Sequence, residues 1–496
     1  MYYLGYDLGS SSVKAALIDA SNNCVIHSTS YPDHEMHIDS SNANWAEQNP
    51  EDWWKNVIEV TGRLIKESDA DIQNIKGIGI TYQMHGLVVV DKNKRVLRPA
   101  IIWCDSRAVS IGDNAYRAIG AARCNQHLLN SPGNFTASKL AWIKENEPDV
   151  FSEIDKVMLP GDYLALKLTG AVKTTVNGLS EGIFWDFVQH QPADFLLKHL
   201  RFNPELIPEI TDNFVEQGRV STEAAEQLGI PDGIPLLYRA GDQPNNAMSL
   251  GVLEPGEIAA SGGTSGVVYG ITDQLVYDET HRINSFAHVN HKKDKNRIGV
   301  LLCINASGIL YRWVRENVLG SEVSYPEMEA MARKSEVGAR GLYFLPFGNG
   351  GERMLNFKNK GAQLFGLNLN LHNQSDVIRA SLEGIAFSFV YGIELIESIG
   401  VPVKRIKVAN DNLFQSEIFS QVIANLSGVE IEMYETTGAV GAAQGASYAG
   451  GAYDSLEKAI FTKSSLKTFK PENAISPYQK AYSEWKKHLE ISLNQS

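Results

Sequence analysis

The chain has 496 residues, more than one hydrophobic core usually organises, because single cores stop growing at about 250–300 residues. Two domains of roughly 200–250 residues are the expectation. Hydrophobic residues make up 43% and charged residues 21%, which excludes a disordered or fibrous chain, and a net charge of -13 argues against nucleic acid and anionic membrane as partners, since both reward a basic surface.

The chain opens M-Y-Y-L-G-Y-D-L-G, with a carboxylate inside the first apolar run and no basic flank, unlike a signal peptide. Strands are expected at 2–7 and 13–19 around a small-residue turn, with 24–27 completing an antiparallel meander. Residues 50–67 carry an apolar stripe of helical period with Pro50 near its start. The run I-K-G-I-G-I-T-Y at 75–82 reads as a strand buried on both faces, and 87–90 and 100–103 as further strands. The stretch 139–228 is expected to be mainly helical. A short strand at 236–241 ends at Asp242. The second half starts again with strands at 257–260 and 267–270 around a glycine-rich turn. A strand at 342–345, a long helix at 376–399, a strand at 403–409 and a helix at 415–426 follow. Beyond Tyr453 the chain reads as peripheral helix, with Tyr478, Tyr482, Trp485 and Leu489 on one stripe. Four cysteines with no Cys-x-x-Cys pair point to a reducing compartment. No apolar stretch of about 18 or more residues is present, so the expected location is cytoplasmic.

Three segments carry chemistry. In Y-D-L-G-S-S-S-V-K, Asp7 ends a buried strand beside Gly9, Ser10 and Ser11, with Lys14 close behind. A carboxylate and converging backbone N–H groups suit hydrated Mg²⁺ and phosphate oxygens; a serine-rich turn without a ligand is the alternative. G-D-Q-P-N-N places Asp242 and Gln243 directly after a strand, where an Asp also serves as a helix cap. S-G-G-T-S-G brings Gly263, Thr264 and Ser265 together, allowing close backbone approach or a simple turn. Neither the P-loop nor the dinucleotide fingerprint matches. Jointly, the three segments can surround a nucleoside triphosphate in a cleft between two halves. The H-V-N-H histidines, His288 and His291, lack a third ligand in register and read as exposed or hydrogen-bonded. Trp142, Trp185 and Trp313 read as core or domain-interface packing, and Asp162 as a residue at a helix N-terminus.

The order of these segments resembles the FGGY family of carbohydrate kinases, and within it the xylulokinases. Further matches are Q-M-H-G at 83–86, A-I-I-W-C-D-S-R at 100–107, N-F-T-A-S-K-L-A-W at 134–142, L-P-G-D-Y at 159–163, A-Q-L-F-G-L at 362–367 and R-A-S-L-E-G at 379–384. The resemblance implies an α/β fold of two actin-like, ribonuclease-H-like domains with a catalytic cleft between them. A sugar-binding domain would span 1–246 and a nucleotide-binding domain 247–450, with a peripheral helical segment at 451–496. It implies ATP and Mg²⁺ as phosphoryl donor and metal, a small sugar as acceptor, and leaves a homodimer open. Asp242 would be the base, and Asp7 would organise the metal and phosphates with Ser10, Ser11 and Lys14. Met84, His85, Trp103 and Gln243 would line the sugar site, while Gly263, Thr264 and Ser265 would form a second phosphate loop. Two departures stand out. Gln243 replaces the usual Asn, and V-A-N-D-N at 408–412 replaces a glycine run at the adenine site, so that Asn410 falls there. D-Xylulose is the expected substrate, with ribulose, gluconate or another ketose as rivals; Met84 and His85 stand where glycerol kinases carry Arg-Glu. An actin-like ATP-binding module without catalysis is the alternative from another class.

Overall fold

The computed structural model describes residues 1–22, 24–460 and 465–494. The first sheet is built on β1 (Tyr2–Leu8), β2 (Val13–Asp19), β3 (Cys24–Tyr31), β4 (Ile75–Tyr82) and β5 (Pro235–Gly241), in the order β3-β2-β1-β4-β5 with Gly218–Arg219 at the edge. The meander β1-β2-β3 is antiparallel, whereas β1, β4 and β5 run parallel. A second sheet repeats this plan with β6 (Glu257–Gly262), β7 (Gly266–Thr272), β8 (Ile298–Ile304), β9 (Arg405–Ala409) and β10 (Ile431–Tyr434), in the order β8-β7-β6-β9-β10. Again the first three pair antiparallel, and β6, β9 and β10 pair parallel. Two copies of this 3-2-1-4-5 sheet make up the actin-like, ribonuclease-H-like arrangement.

Helices cover the sheets because their apolar stripes require it. Helix α1 (Pro50–Ser68) starts at Asn49, whose side chain accepts the Glu51 N–H, and buries Trp53, Trp54, Val57, Val60 and Leu64. Four more helices shape the cleft and its surroundings: α2 (Val176–Glu181), α3 (Asp242–Ser249), α4 (Gln374–Ser398) and α5 (Glu417–Ser427). Within 139–228 the expected helices are present but interleaved with short strands such as Lys156–Met158 and Lys173–Thr175. The C-terminal helix α7 (Ser476–Asn494) buries Tyr482, Trp485 and Leu489, and the Trp485 indole donates to the Phe344 carbonyl at 2.9 Å. Its segment also adds the edge strand Lys467–Phe469 to the second sheet, while residues 461–464 and 495–496 of the expected 451–496 segment lie outside the described residues. Trp313 departs from the expected packing role: it is half-exposed on the helix Gly308–Val314. Trp185 is buried, and Trp142 meets Trp45 edge to face at 5.2 Å.

One helix couples the halves. Helix α6 (Gly438–Ala449), G-A-V-G-A-A-Q-G-A-S-Y-A, follows β10 yet packs on β1, β2, β4 and β5 of the first sheet. Its glycines run against helix propensity and make room for Asp7, Ser249 and Tyr238 side chains, while glycines of the sheet permit contact of backbone on backbone. A Cβ on Gly5 would meet the Ala439 carbonyl oxygen at 2.0 Å, and one on Gly79 the Ala442 carbonyl oxygen at the same distance.

Because backbone cannot move aside as a side-chain tip can, Gly79→Ala should lower unfolding stability by about 3 kcal/mol or more. Gly62→Ala, at an exposed position of α1 where a Cβ meets nothing within 4 Å, should instead be neutral or stabilising by up to about 1 kcal/mol. Urea unfolding followed by circular dichroism checks both; equal effects would remove the packing argument.

Candidate active site

Because β1 and β5 both lie parallel to β4, their C-terminal ends reach the same edge of the sheet, where open α/β sheets place their ligands. Asp7 sits in the penultimate position of β1, and Asp242 is the first residue of α3, with Gly241 as its cap. Asp7 receives Lys14 Nζ at 3.5 Å across the β1-β2 hairpin. It also lies against the start of α6: a Cβ on Gly438 would meet Asp7 Oδ2 at 2.6 Å and Asn246 Oδ1 at 3.1 Å. No side chain fits there. Asp7, Lys14, Gln243, Asn246, Asp411 and Gly438 line a cavity of about 210 Å³. Burial pushes the Asp242 carboxyl up to about 7, and the negative charge of Asp7 adds to this against the opposing pull of the Gln243 N–H and Lys14.

The turn between β1 and β2 is tied to the neighbouring wall. Gln48 Nε2 donates to the Ser10 carbonyl at 2.8 Å, the Trp103 indole reaches Ser10 Oγ at 3.5 Å, and the Ser11 carbonyl accepts the Met36 N–H at 2.8 Å. Trp103 is half-exposed. Below it, Met84 packs against Gly241, where a Cβ would meet Met84 Cγ at 2.7 Å. His85 adopts φ 61°, a left-handed conformation that costs a non-glycine residue about 1–2 kcal/mol. Three hydrogen bonds hold it: its N–H to Glu181 Oε2 at 3.3 Å, its Nδ1 to the Glu181 carbonyl at 3.0 Å, and its carbonyl to Lys139 Nζ at 2.8 Å. Since a carbonyl only accepts, Nδ1 carries the proton and Nε2 is left as an acceptor. Burial, reinforced by the Lys139 charge, pushes the imidazole down to about 3, so the ring is neutral.

The β6-β7 turn opens on a second cavity of about 690 Å³, lined by Gly263, Thr264, Gly308, Tyr311, Asn412 and Gln415 among others, within the size range of sites for small ligands. Ser265 Oγ donates to the Asn305 carbonyl at 3.2 Å. Asn410 stands apart: its side chain donates to Glu435 Oε2 at 3.2 Å, and it lines neither cavity, whereas Asp411 lines the smaller and Asn412 the larger. A third cavity of about 650 Å³, bordered by Asn177, Trp185 and His288, touches none of the expected site residues. His288 and His291 are hydrogen-bonded, to the Tyr269 hydroxyl and the Arg297 N–H. Asp162 sits in the first turn of the helix Pro160–Thr169 and accepts the Leu159 N–H.

Sequence reasoning missed Glu181 and Lys139, both fully buried beneath His85. Burial pushes Glu181 well up, with the Asp242 charge contributing, and pushes Lys139 down to about 7. The signal was available in N-F-T-A-S-K-L-A-W, where a lysine interrupts an otherwise apolar helix face. Gly438, Asn246 and Asp411 also escaped, because only the tertiary fold brings them to Asp7.

Comparison with known proteins identifies the family. The FGGY family of carbohydrate kinases matches through its N-terminal domain at residues 2–249 and its C-terminal domain at 258–450. A xylulose kinase of Escherichia coli is 29% identical over 90% of this chain and 88% of its own. A xylulose kinase of Haemophilus influenzae is 29% identical over 98% of this chain and 99% of its own. The crystal structure of a xylulose kinase from Rhodospirillum rubrum shares the fold, with TM-score 0.86 at 23% identity over 99% of each chain.

A buried carboxyl whose folded-state value is raised favours the folded state while neutral and loses that contribution as pH rises through about 7. Asp242→Asn should therefore melt higher than the unsubstituted protein at pH 8, by on the order of 2 kcal/mol. The difference should shrink towards zero near pH 4. Thermal melts across that range decide it; a pH-independent difference would show that Asp242 is not strained.

Proposed function

The chain belongs to the FGGY family of carbohydrate kinases, whose sugar kinases take their phosphoryl group from ATP, and on that premise we propose that it converts D-xylulose and ATP to D-xylulose 5-phosphate and ADP. The observation that carries this is Asp242, a partly buried carboxyl raised to about 7 at the sheet edge it shares with Asp7. A general base works best when its pKa lies near the working pH.

In this reading the acceptor hydroxyl gives its proton to Asp242 as its oxygen bonds to the γ-phosphorus of ATP. The bond from that phosphorus to the bridging oxygen breaks, and ADP leaves with the electron pair. Such transfers need alignment and charge neutralisation more than covalent help. Lys14, Ser10 and Ser11 would meet the phosphoryl oxygens from one half, and Gly263, Thr264 and Ser265 from the other. Met84, the neutral His85 with its Nε2 acceptor, Trp103 and Gln243 would line the acceptor. The nucleoside would occupy the larger cavity, where Asn412 rather than Asn410 borders the base. The division into 1–246 and 247–450 belongs to this proposal.

The donor set fits Mg²⁺. Asp7 is a hard oxygen ligand with only a half-exposed lysine at 3.5 Å as counter-charge, and among the described residues no group of three metal-ligating side chains competes. Mg²⁺ keeps several waters and binds through one or two carboxylates plus substrate phosphates. Asp7 would hold it, and the bound ion would neutralise phosphate charge.

A coupled ADP-release assay with D-xylulose, D-ribulose, D-gluconate and glycerol tests the proposal. D-Xylulose should give the highest kcat/KM; ATP turnover stimulated by none of the four would sink it. Asp242→Asn should cut kcat by about 10³-fold with ATP affinity unchanged, and near-normal turnover would remove it as the base. Because the base must be ionised, kcat/KM should fall about tenfold per pH unit below roughly 7. A flat profile down to pH 5 would contradict the raised carboxyl. Asp7→Ala should weaken magnesium dependence, read as the Mg²⁺ concentration giving half-maximal rate.

A further inference from the structure

The buried arginines of this chain are paired with carboxylates. Arg98 meets Glu47 and Glu147, Arg107 meets Asp105 and Glu47, Arg239 meets Asp162, and Arg379 meets Glu383. Arg353 differs. Burial lowers its preference for the charged form, yet among the described residues no carboxylate lies within ion-pair distance of it. Its one hydrogen bond runs from Nη1 to Asn284 Oδ1 at 2.5 Å, and the Phe357 ring lies 5.3 Å from the guanidinium carbon. Its neighbour Glu352 turns away, accepting the Asn305 N–H at 2.9 Å. Among the described residues Nε and Nη2 have no hydrogen-bond partner, and neither is sealed in the interior. A desolvated guanidinium with open donors is costly unless an anion completes it.

Its position tells which anion. Asn284 and Phe286 are two apart on one strand, Asn284–Ala287, so their side chains share a face. The Phe286 ring lies 5.2 Å from His85, the floor of the proposed acceptor site. On its other side, Arg353 follows Gly351, whose carbonyl accepts Asn305 Nδ2 at 2.7 Å, and the Asn305 carbonyl in turn accepts Ser265 Oγ. Arg353 thus stands between the His85 floor and the Gly263–Ser265 turn. Its charge reaches His85 on one side and Cys303 on the other, and Cys303 also senses Asp242.

We propose that Arg353 is a further catalytic residue whose open guanidinium edge binds the oxygens of the phosphoryl group as that group arrives on the acceptor. This rests on the kinase reading above. The phosphorus–oxygen bond forms to the acceptor hydroxyl, the bond to ADP breaks, and the hydroxyl proton passes to Asp242. Arg353 takes no part in bond making; its N–H fork matches two phosphoryl oxygens and stabilises charge that is spread over them in the transition state.

The test compares the unsubstituted enzyme, Arg353→Gln and Arg353→Lys by steady-state kinetics and by calorimetric binding of D-xylulose and D-xylulose 5-phosphate. Arg353→Gln should lower kcat by about 30-fold or more while KM for D-xylulose moves less than about threefold. It should also lose at least about tenfold of the preference for the phosphate ester over the free sugar. Arg353→Lys, which keeps the charge without the fork, should restore part of both and shows that the losses do not come from misfolding. The proposal is overturned if Arg353→Gln keeps its kcat and its ester preference, or if free-sugar affinity falls as much as ester affinity. A defect confined to D-gluconate would overturn it too, because that would assign Arg353 to an acceptor carboxylate. In each of these cases D-xylulose turnover by the unsubstituted enzyme still stands, so the two readings fail separately.

Discussion

The contact on which the site depends is one between backbones, the carbonyls of α6 resting where side chains of Gly5 and Gly79 would be. A helix laid this close to a sheet cannot slide without breaking contact at several glycines at once. Gly441 abuts Ser249 of α3, and Gly445 abuts Tyr238 of β5, so α6 touches both the strand and the helix that flank Asp242. The same seating brings Gly438 against Asp7, and the Thr437 side chain caps the helix by accepting the Val440 N–H. The positive end of the α6 dipole therefore faces the carboxylate edge and any phosphate bound there. Although α6 belongs to the second half in sequence, it is the first sheet that positions it.

Electrostatically, the floor of the cleft is set up by burial more than by pairing. Asp242 is raised because water is excluded and Asp7 is near, and Lys14 opposes this only weakly. Beneath, burial also raises the Glu181 carboxyl, with the Asp242 charge contributing. His85 is held neutral, and among the described residues its acceptor nitrogen has no partner. A neutral imidazole there can accept a hydrogen bond from a hydroxyl, which a charged imidazolium could not. The strain at His85 is offset by the three hydrogen bonds from Glu181 and Lys139, and such strain persists only where the surroundings over-determine it.

Much of this was legible from the residues. The meander, the buried strand 75–82 and the carboxylates after β1 and β5 follow from apolar periodicity and from turn chemistry, both local properties. The run I-G-V-L-L-C-I of β8 was not assigned, since a short, wholly apolar stretch does not distinguish a buried strand from a buried helix. The role of α6 was hidden for a different reason: glycines disfavour helix, and its seating appears only in the fold, where Gly5 and Gly79 come to face Ala439 and Ala442. Asn410 lines neither cavity, because the path of the chain through V-A-N-D-N, not its composition, decides that Asn412 reaches the larger one. Glu181 and Arg353 were invisible because an isolated charged residue carries no sequence signal of being buried.

The repeated topology makes the asymmetry of the cleft informative. In each half the fifth strand leads directly into a helix, β5 into α3 and β10 into α6, and these two helices pack on one another, with Asn245 of α3 donating to the Gly438 carbonyl at 2.9 Å. The first of these helices opens with Asp242, the second with the neutral cap Thr437. The hairpins differ in the same sense: β1 carries Asp7 near its end, whereas the corresponding end of β6 carries Ser261 before Gly262. At the ends of their first strands one half therefore offers a carboxylate and the other a hydroxyl and glycines, while the second half adds Asp411 to the cavity that Asp7 lines. A symmetric pair of carboxylate-tipped sheets would repel an anion from both sides, and a symmetric pair of hydroxyl-tipped ones would leave this edge without a proton acceptor. Divergence at a few strand ends is enough to make the two halves of one repeated scaffold chemically distinct.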